Sequence, residues 1–289
     1  MPIKIKNYIR LMRPKQWIKN FFVFAAVVFS KNIFNIDCLF KAGLAFVCFC
    51  LISSCAYVLN DLVDVEKDRH HPRKQYRPIA SGVVKQMEAI VILMILLGLA
   101  TVLSFNVSWY FGIAVLAYFI NNLLYSFALK HIVILDVMSI AIGFLLRVIG
   151  GALAIDVDIS EWILLCTLLI SLFLGLSKRR NELITLESSA GKHRKILEEY
   201  SSEFINNMLS IVTACTVMSY SLYTFSAYTN NYMMFTIPFV LYGIFRYQYI
   251  VYKKNEGGSP EEVILSDKPF LINIILWIIV SIVILYSIT

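Results

Sequence analysis

Charged side chains are scarce in this sequence. Only 16% of its 289 residues are Asp, Glu, Lys or Arg, whereas 59% are apolar, and the mean hydropathy is +0.72. A soluble domain usually carries about 25% charged and 45–50% apolar residues. A chain with so few charged residues cannot keep its apolar side chains away from water, so the composition excludes an ordinary soluble domain. Lipid must be the solvent for much of the protein.

Cysteine is also sparse, and it lacks the spacing of a metal or redox site. The six cysteines lie in or beside apolar stretches and form no CxxC pair, so we expect buried, inert thiols. The sequence shows no internal repeat, no low-complexity stretch and no linker. We therefore predict a single membrane domain over residues 1–289.

Long apolar runs are what the sequence has in abundance. A transmembrane helix needs roughly 20 mostly apolar residues, and we predict an all-α integral membrane protein with about nine spans in one bundle. Their approximate bounds are 20–36, 39–59, 87–105, 109–127, 132–155, 160–177, 205–228, 231–252 and 270–289. No small-residue cleavage site follows the first run, which indicates a retained span rather than a signal peptide.

Basic residues concentrate on one side of these spans. If the N-terminus and every second loop share a face, that face carries six Lys and Arg before the first span, six in 60–86, Lys130, six in 178–204 and four from Arg246 to Lys268. These make 23 of the 26 basic residues. Because cytoplasmic loops are enriched in Lys and Arg, we predict a cytoplasmic N-terminus. We expect the active site at the same face of the cell membrane, where the long charged loops lie.

The most informative segment is acidic and follows the second predicted span. Asp61, Asp64 and Asp68 are spaced i, i+3 and i+7, which places them on one face of a helix. Three carboxylates there repel one another and oppose the helix dipole. Mg²⁺ removes this penalty, since it takes oxygen ligands and bridges carboxylates to substrate phosphates. We predict these three residues as metal ligands and catalytic residues; the alternative is a solvated charged face.

Basic side chains follow the carboxylates, among them Arg69 and Arg77. A mixture of carboxylates and cations around a metal suits a diphosphate, which needs both a bridging ion and charge-assisted hydrogen bonds. The segment therefore predicts a site for magnesium and a diphosphate.

This segment resembles the NDxxDxxxD hallmark of the UbiA superfamily of intramembrane prenyltransferases, with Asn60 as its first residue and, by that resemblance, a candidate substrate-binding residue. The order of motifs and the number of predicted spans match that superfamily over nearly the whole chain. Within it, the chain is most similar to the decaprenyl-phosphate phosphoribosyltransferase branch. The segments that carry the likeness are 13–20 (RPKQWIKN), 60–82, 178–183 (KRRNEL) and 259–262 (SPEE).

The resemblance implies transfer of a 5-phosphoribosyl group from phosphoribosyl diphosphate to a polyprenyl phosphate, with Mg²⁺ as cofactor and diphosphate released. Where a typical superfamily member has a second Asp-rich motif, this chain has Lys178, Arg179, Arg180 and a single carboxylate, Glu182. Three cations suit a phosphate monoester, so we assign them to the donor's 5-phosphate; the alternative is that they only fix topology. The lipid phosphate is already anionic, so no strong general base is expected.

Further candidates lie near the same membrane plane. Gln16, Lys19 and Asn20 are expected to form one polar helix face, which serves either substrate binding or membrane anchoring. Tyr125 and Lys130 close the fourth span, and Lys130 either neutralises a diphosphate or ends a helix.

Two ionisable residues lie inside the fifth predicted span. Asp136 is a functional candidate by default, with Lys130 as its expected partner. Arg147 is flanked by three glycines, and we interpret it as a buried structural arginine in close helix packing.

Two other functions compete with this interpretation. A prenyltransferase that attaches an isoprenoid to an aromatic or quinone-precursor acceptor predicts a second carboxylate-rich motif in 178–204, where the chain has only five scattered Glu and no Asp. A transporter favours broken helices and charges near the bilayer midplane, whereas these charges cluster at one face. We expect a bilayer, phosphoribosyl diphosphate and a polyprenyl phosphate as partners, and no nucleic acid; a homo-oligomer stays open.

Overall fold

The computed structural model describes residues 3–70, 74–187, 196, 199–226, 231–253 and 260–287, and these residues contain no strand. Its α-helices are α1 (Ile3–Met12), α2 (Ala25–Phe29), α3 (Ile36–Val63), α4 (Val65–Arg69), α5 (Gln86–Val107), α6 (Trp109–Phe127), α7 (Leu135–Ile155), α8 (Glu161–Glu187), α9 (Ser202–Ser226), α10 (Ile237–Lys253), α11 (Pro260–Ser266) and α12 (Lys268–Ser287). Its 3-10 helices are Pro14–Phe24, Lys74–Tyr76, Leu129–His131 and Asn231–Thr236.

Seven helices of the described chain are long and apolar enough to cross a membrane: α3, α5, α6, α7, α8, α9 and α12. Each coincides with one of the predicted spans, which confirms a multi-pass, all-helical membrane protein. The ends of two of those predicted spans, 227–228 and 288–289, lie outside the described residues.

The other two predicted spans have a different form. Residues 231–252 form a 3-10 turn followed by α10, which has 17 residues and is shorter than the roughly 20 of a typical span. Residues 20–36 do not form one regular α-helix, and their crossing of the membrane stays a prediction. A 3-10 helix of 11 residues, Pro14–Phe24, leads into the short α2 and a turn. An apolar run indicates burial or lipid contact, but it does not determine the type of helix.

The helices form two compact units, each described by itself. The first unit comprises residues 1–27, 32–130 and 146–157. Its core includes Phe49 of α3 with Phe111 and Tyr118 of α6, whose rings meet edge to face. A second cluster of the same unit packs Leu11 against Val58 and neighbouring residues of α5.

Glycines allow close packing around the part of α7 that belongs to this unit. A Cβ atom built on Gly151 would lie 2.1 Å from the carbonyl oxygen of Val23, and one on Gly150 would lie 2.7 Å from the Phe49 ring. A side chain at Gly151 would therefore displace the backbone of the 3-10 helix Pro14–Phe24. This contact supports the close packing predicted around Arg147.

The second unit comprises residues 28–31, 131–145 and 158–289. Its main core joins Val137 of α7, Phe173 and Leu176 of α8, and Tyr247 of α10. A smaller cluster includes Tyr220 and Tyr223 of α9 with residues of α12. The prediction of one domain over residues 1–289 stays a prediction.

Candidate functional site

The acidic motif lies in the first unit, where α3 ends and α4 begins. Asp61 is in the last turn of α3, Asp64 lies between the two helices, and Asp68 is in α4. Backbone bonds run from Asp64 N to Asn60 O (3.0 Å) and from Asp68 N to Asp64 O (2.8 Å), so the helical path is nearly continuous. Asp61 and Asp68 are only 2% and 3% exposed.

Two arginines neutralise these buried carboxylates. Arg13 donates from Nη2 to Oδ1 of Asp61 at 2.5 Å. Arg77 donates from Nη1 to the same oxygen at 3.0 Å and to Oδ2 of Asp68 at 2.5 Å. Arg77, which we predict to bind diphosphate, thus already contacts two carboxylates of the motif.

Asp64 has a different cation. Lys130, in the 3-10 turn after α6, donates to its Oδ1 at 2.8 Å, and the lysine side chain is almost fully buried. The structure places the charge of Lys130 at the acidic motif, and its two interpretations, neutralising a diphosphate or ending a helix, stay predictions. The predicted pairing of Lys130 with Asp136 was wrong, because each of these residues has another partner.

Arg13 is a member of this cluster that the sequence analysis did not assign to the site. Its backbone is left-handed (φ 53, ψ 61) immediately before Pro14, and its guanidinium lies 5.2 Å from the centre of the Tyr57 ring. Non-glycine residues in this region are strained, and such strain clusters at functional sites. The sequence signal was an arginine before a proline, just ahead of the first apolar run. We counted Arg13 only among the basic residues that indicate the cytoplasmic face.

Other predicted substrate residues lie at the edge of the cluster or outside it. Ser126 donates to Oδ1 of Asn60 at 3.4 Å, and Tyr125 is half-buried beside Ser126 on α6. Arg69 is exposed and pairs with Glu66 at 2.8 Å, so the structure does not bring it to the buried carboxylates.

The predicted polar face of Gln16, Lys19 and Asn20 divides in two. In a 3-10 helix residues three apart lie on the same side, and Lys19 accordingly donates to Oε1 of Gln16 at 2.6 Å. Asn20 instead points inward and is fully buried. It accepts from Nε of Arg147 at 2.7 Å, and its contact with substrate stays a prediction.

The second basic motif contributes to a buried cluster within the second unit. Arg179 is fully buried and donates from Nε to Oδ2 of Asp136 at 2.5 Å and from Nη1 to Oε2 of Glu182. Asp136 is also fully buried. An isolated charge costs too much to bury, so each member of the pair requires the other.

Tyr200 completes this cluster and had no sequence signal. Its hydroxyl donates to Oδ1 of Asp136 at 2.8 Å and accepts from the backbone N–H of Ile134 at 2.8 Å. Burial raises the pKa of the Tyr200 phenol to about 12, and the hydrogen bond to the Asp136 carboxylate contributes to that rise. The hydroxyl therefore stays protonated as a donor at neutral pH.

The other two cations of the motif differ in their surroundings. Arg180 donates to Oδ1 of Asn206 at 2.9 Å and to the carbonyl of Val251 at 3.1 Å, and its guanidinium lies 3.8 Å from the centre of the Tyr252 ring. Lys178 is half-buried on α8. The three cations therefore do not share one environment, because Arg179 is paired with carboxylates and Arg180 is held against α9 and α10.

The donor chemistry of the acidic motif suits magnesium. Its three carboxylates offer only oxygen ligands, which Mg²⁺ prefers. Across the described parts of the chain, no three or more His, Cys, Asp and Glu side chains are arranged to hold an ion. Each of the three carboxylates instead faces an Arg or Lys. A metal bound to these carboxylates would displace the Arg and Lys side chains from some of the carboxylate oxygens. A bound diphosphate would then give these cations a new anionic partner.

Known proteins resemble this chain along nearly its whole length. The decaprenyl-phosphate phosphoribosyltransferase of Mycolicibacterium smegmatis is 36% identical over 95% of this chain and 91% of its own length. The enzymes of that name from Corynebacterium glutamicum and Mycobacterium tuberculosis are 35% and 31% identical, over 93% and 95% of this chain and 84% and 92% of their own lengths.

Solved structures share the fold. A UbiA homologue from Archaeoglobus fulgidus bound to GPP and Mg²⁺ has a TM-score of 0.74 at 20% identity and covers 95% of this chain and 98% of its own. A digeranylgeranylglyceryl phosphate synthase structure has a TM-score of 0.68 at 20% identity, with 97% and 98% covered. The profile of the UbiA prenyltransferase family matches residues 20–275. Since this match covers most of the sequence, the chain belongs to the UbiA prenyltransferase family.

Proposed function

We propose that this protein transfers a 5-phosphoribosyl group from phosphoribosyl diphosphate to a decaprenyl-like polyprenyl phosphate and releases diphosphate. The observation that carries the proposal is the full-length likeness to three enzymes with this activity in their name, at 31–36% identity. The acidic motif supplies the matching chemistry, because it places three carboxylates and three cations at the end of one membrane helix.

Asp61, Asp64 and Asp68 are the residues that would hold magnesium. When bound, the ion would neutralise charge on the departing diphosphate. The task of Arg13, Arg77 and Lys130 is to donate charge-assisted hydrogen bonds to diphosphate oxygens, which favours departure of the leaving group. Since they are buried or half-buried, water competes little for these bonds.

The nucleophile requires no base from the protein. A polyprenyl phosphate is anionic at neutral pH and attacks the anomeric carbon with an oxygen that is already deprotonated. The protein's part is to bind and orient the two substrates. The acceptor is a lipid, so we place the reaction in a multi-pass protein of the cell membrane, with the site on the cytoplasmic side that 23 of 26 basic residues favour.

The second basic motif is consistent with a donor that is not a prenyl diphosphate. The one carboxylate of residues 178–183, Glu182, is paired with Arg179 and has no acidic neighbour at i±4 that would help it hold a second metal. Lys178, Arg179 and Arg180 as ligands of the donor's 5-phosphate stay a prediction. The contacts of Arg179 argue that it orients Glu182 rather than binding the phosphate itself.

The test uses the purified full chain in detergent with magnesium, a polyprenyl phosphate and labelled phosphoribosyl diphosphate. We expect label to enter the organic phase as a phosphoribosyl lipid, and to stay in the aqueous phase with a chelator or with the D61N variant. Turnover of a prenyl diphosphate onto an aromatic acid, with no phosphoribosyl lipid formed at any acceptor length, would overturn the proposed donor.

A further inference from the structure

A buried polar contact lies inside the first unit, away from the carboxylates. Asn20 is fully buried in the 3-10 helix, and its Oδ1 accepts from Nε of Arg147 at 2.7 Å. Its amide nitrogen donates to Ser53 Oγ at 3.2 Å and to Cys50 Sγ at 3.3 Å. One side chain thus joins the residues 13–24, here called the N-terminal segment, to both α3 and α7.

Arg147 is held from more than one side. Its Nη2 donates to the Tyr118 hydroxyl at 2.8 Å, and its guanidinium lies 4.6 Å from the centre of the Tyr118 ring. Because these contacts with α6 fix the Arg147 side chain, Asn20 has a partner of defined position. Gly151, one helical turn further along α7, lets the backbone of Val23 approach, so the end of the N-terminal segment is held at two places.

The middle of the N-terminal segment contacts the next turn of α3. Ser54 accepts from Nε1 of Trp17 at 3.0 Å and lies 2.9 Å from the carbonyl oxygen of Met12. Ser54 therefore touches the residues on both sides of the left-handed turn at Arg13.

The start of the N-terminal segment reaches the acidic motif. The Arg13 guanidinium lies near the Tyr57 ring and donates to Asp61. Asn20 thus contacts Cys50, and Trp17 contacts Ser54, further along α3. Arg13 contacts Tyr57 and Asp61, which lie further still. The two pieces of chain lie antiparallel in one register, and the Asn20 contact is at the far end from the site.

We infer that Asn20 and Arg147 are positioning residues, whose hydrogen bond fixes the register of the N-terminal segment along α3 and so holds Arg13 at Asp61. The inference rests on the proposed function only in taking the acidic motif as a diphosphate site. Neither residue touches the substrate; both act through the place they give to Arg13. The strained backbone at Arg13 requires such support, since a left-handed arginine before proline would relax without it.

The experiment measures binding of inorganic pyrophosphate in the presence of Mg²⁺ by calorimetry, with the full chain in detergent. Loss of one charge-assisted hydrogen bond typically weakens binding about tenfold, and we expect this for R13Q. We expect N20A to weaken binding about fivefold through the displaced Arg13. The double variant R13Q/N20A should bind as R13Q alone, because both changes remove the same contact.

Two variants separate positioning from general stability. N20D keeps an oxygen that accepts from Arg147, so we expect affinity close to that of the wild type. S104A removes another fully buried hydroxyl of the same unit, one that bonds only within α5, and should leave affinity unchanged. If N20A does not fold, W17F removes the bond to Ser54 but keeps a ring, and it should weaken binding about threefold without adding to R13Q.

Unchanged affinity in N20A, or a loss that adds fully to that of R13Q, would overturn the inference alone. Absence of magnesium pyrophosphate binding by the wild type would overturn the proposed diphosphate site and this inference with it. Because the experiment measures pyrophosphate binding, its result does not depend on which sugar donor the protein uses.

Discussion

Lys130 donates to Asp64 at 2.8 Å across 66 residues of sequence, and both side chains are largely buried. The pair brings the end of α6 to the acidic motif at the end of α3. Under the proposed function, we expect this buried ammonium to bind the diphosphate of the donor beside Asp64.

Replacing Lys130 by Met should raise the KM for phosphoribosyl diphosphate about tenfold, because a charged hydrogen-bond donor to the diphosphate is lost. The matched control is Lys41→Met, since Lys41 forms a 2.7 Å pair with Asp37 that is exposed to solvent. Exposed pairs contribute little, so the control should keep wild-type kinetics. Initial rates across donor concentrations measure both, and a wild-type KM in Lys130→Met would contradict the role.

Replacing Asp61 by Asn should lower kcat/KM at least about 100-fold, because an amide is a poor magnesium ligand and leaves Arg13 and Arg77 facing a neutral group. Glu66→Gln is the control, since Glu66 lies in the same acidic segment but is exposed and pairs only at the surface. Rates titrated with Mg²⁺ check the result. A change in the Mg²⁺ dependence of the rate that is confined to the Asp61→Asn variant supports a metal site. Equal changes in both variants indicate a general charge effect.

Replacing Arg179 by Met should destabilise the protein by about 3–5 kcal/mol, because it leaves the fully buried Asp136 without its cation. Arg180→Met is the comparison: its partners are a neutral amide and a carbonyl, so the loss should be about 1 kcal/mol. Thermal unfolding in detergent measures the difference. Should Arg179→Met unfold like the wild type and yet lose donor binding, Arg179 would be a direct phosphate ligand.

Replacing Gly151 by Ala should destabilise the protein by about 1–3 kcal/mol, because its Cβ would meet the Val23 carbonyl. Gly98, in α5, has no atom within 4 Å of a built Cβ, so Gly98→Ala should be neutral or stabilising by up to about 1 kcal/mol. The two alanine variants differ only in where the methyl group lies. Equal unfolding temperatures would show that the N-terminal segment does not pack closely on α7.

Seven of the predicted spans and the acidic motif followed from the sequence because the signals are local. An apolar run of sufficient length has few alternatives in a bilayer, and Asp61, Asp64 and Asp68 carry their spacing within one helical stretch. The helix type of residues 20–36 did not follow from the sequence. Hydropathy records how apolar these residues are, but it does not distinguish a 3-10 helix from an α-helix.

The sequence by itself determined a multi-pass helical membrane protein with a carboxylate motif and, through its motifs, a family. Only the tertiary structure decided which cation meets which carboxylate: Arg13 and Arg77 with Asp61, Lys130 with Asp64, and Arg179 with Asp136. Spacing along a helix orders side chains that are three or four residues apart. Partners separated by 16 to 66 residues are chosen by packing between helices, because a buried charge binds whichever opposite charge the fold brings within hydrogen-bond distance.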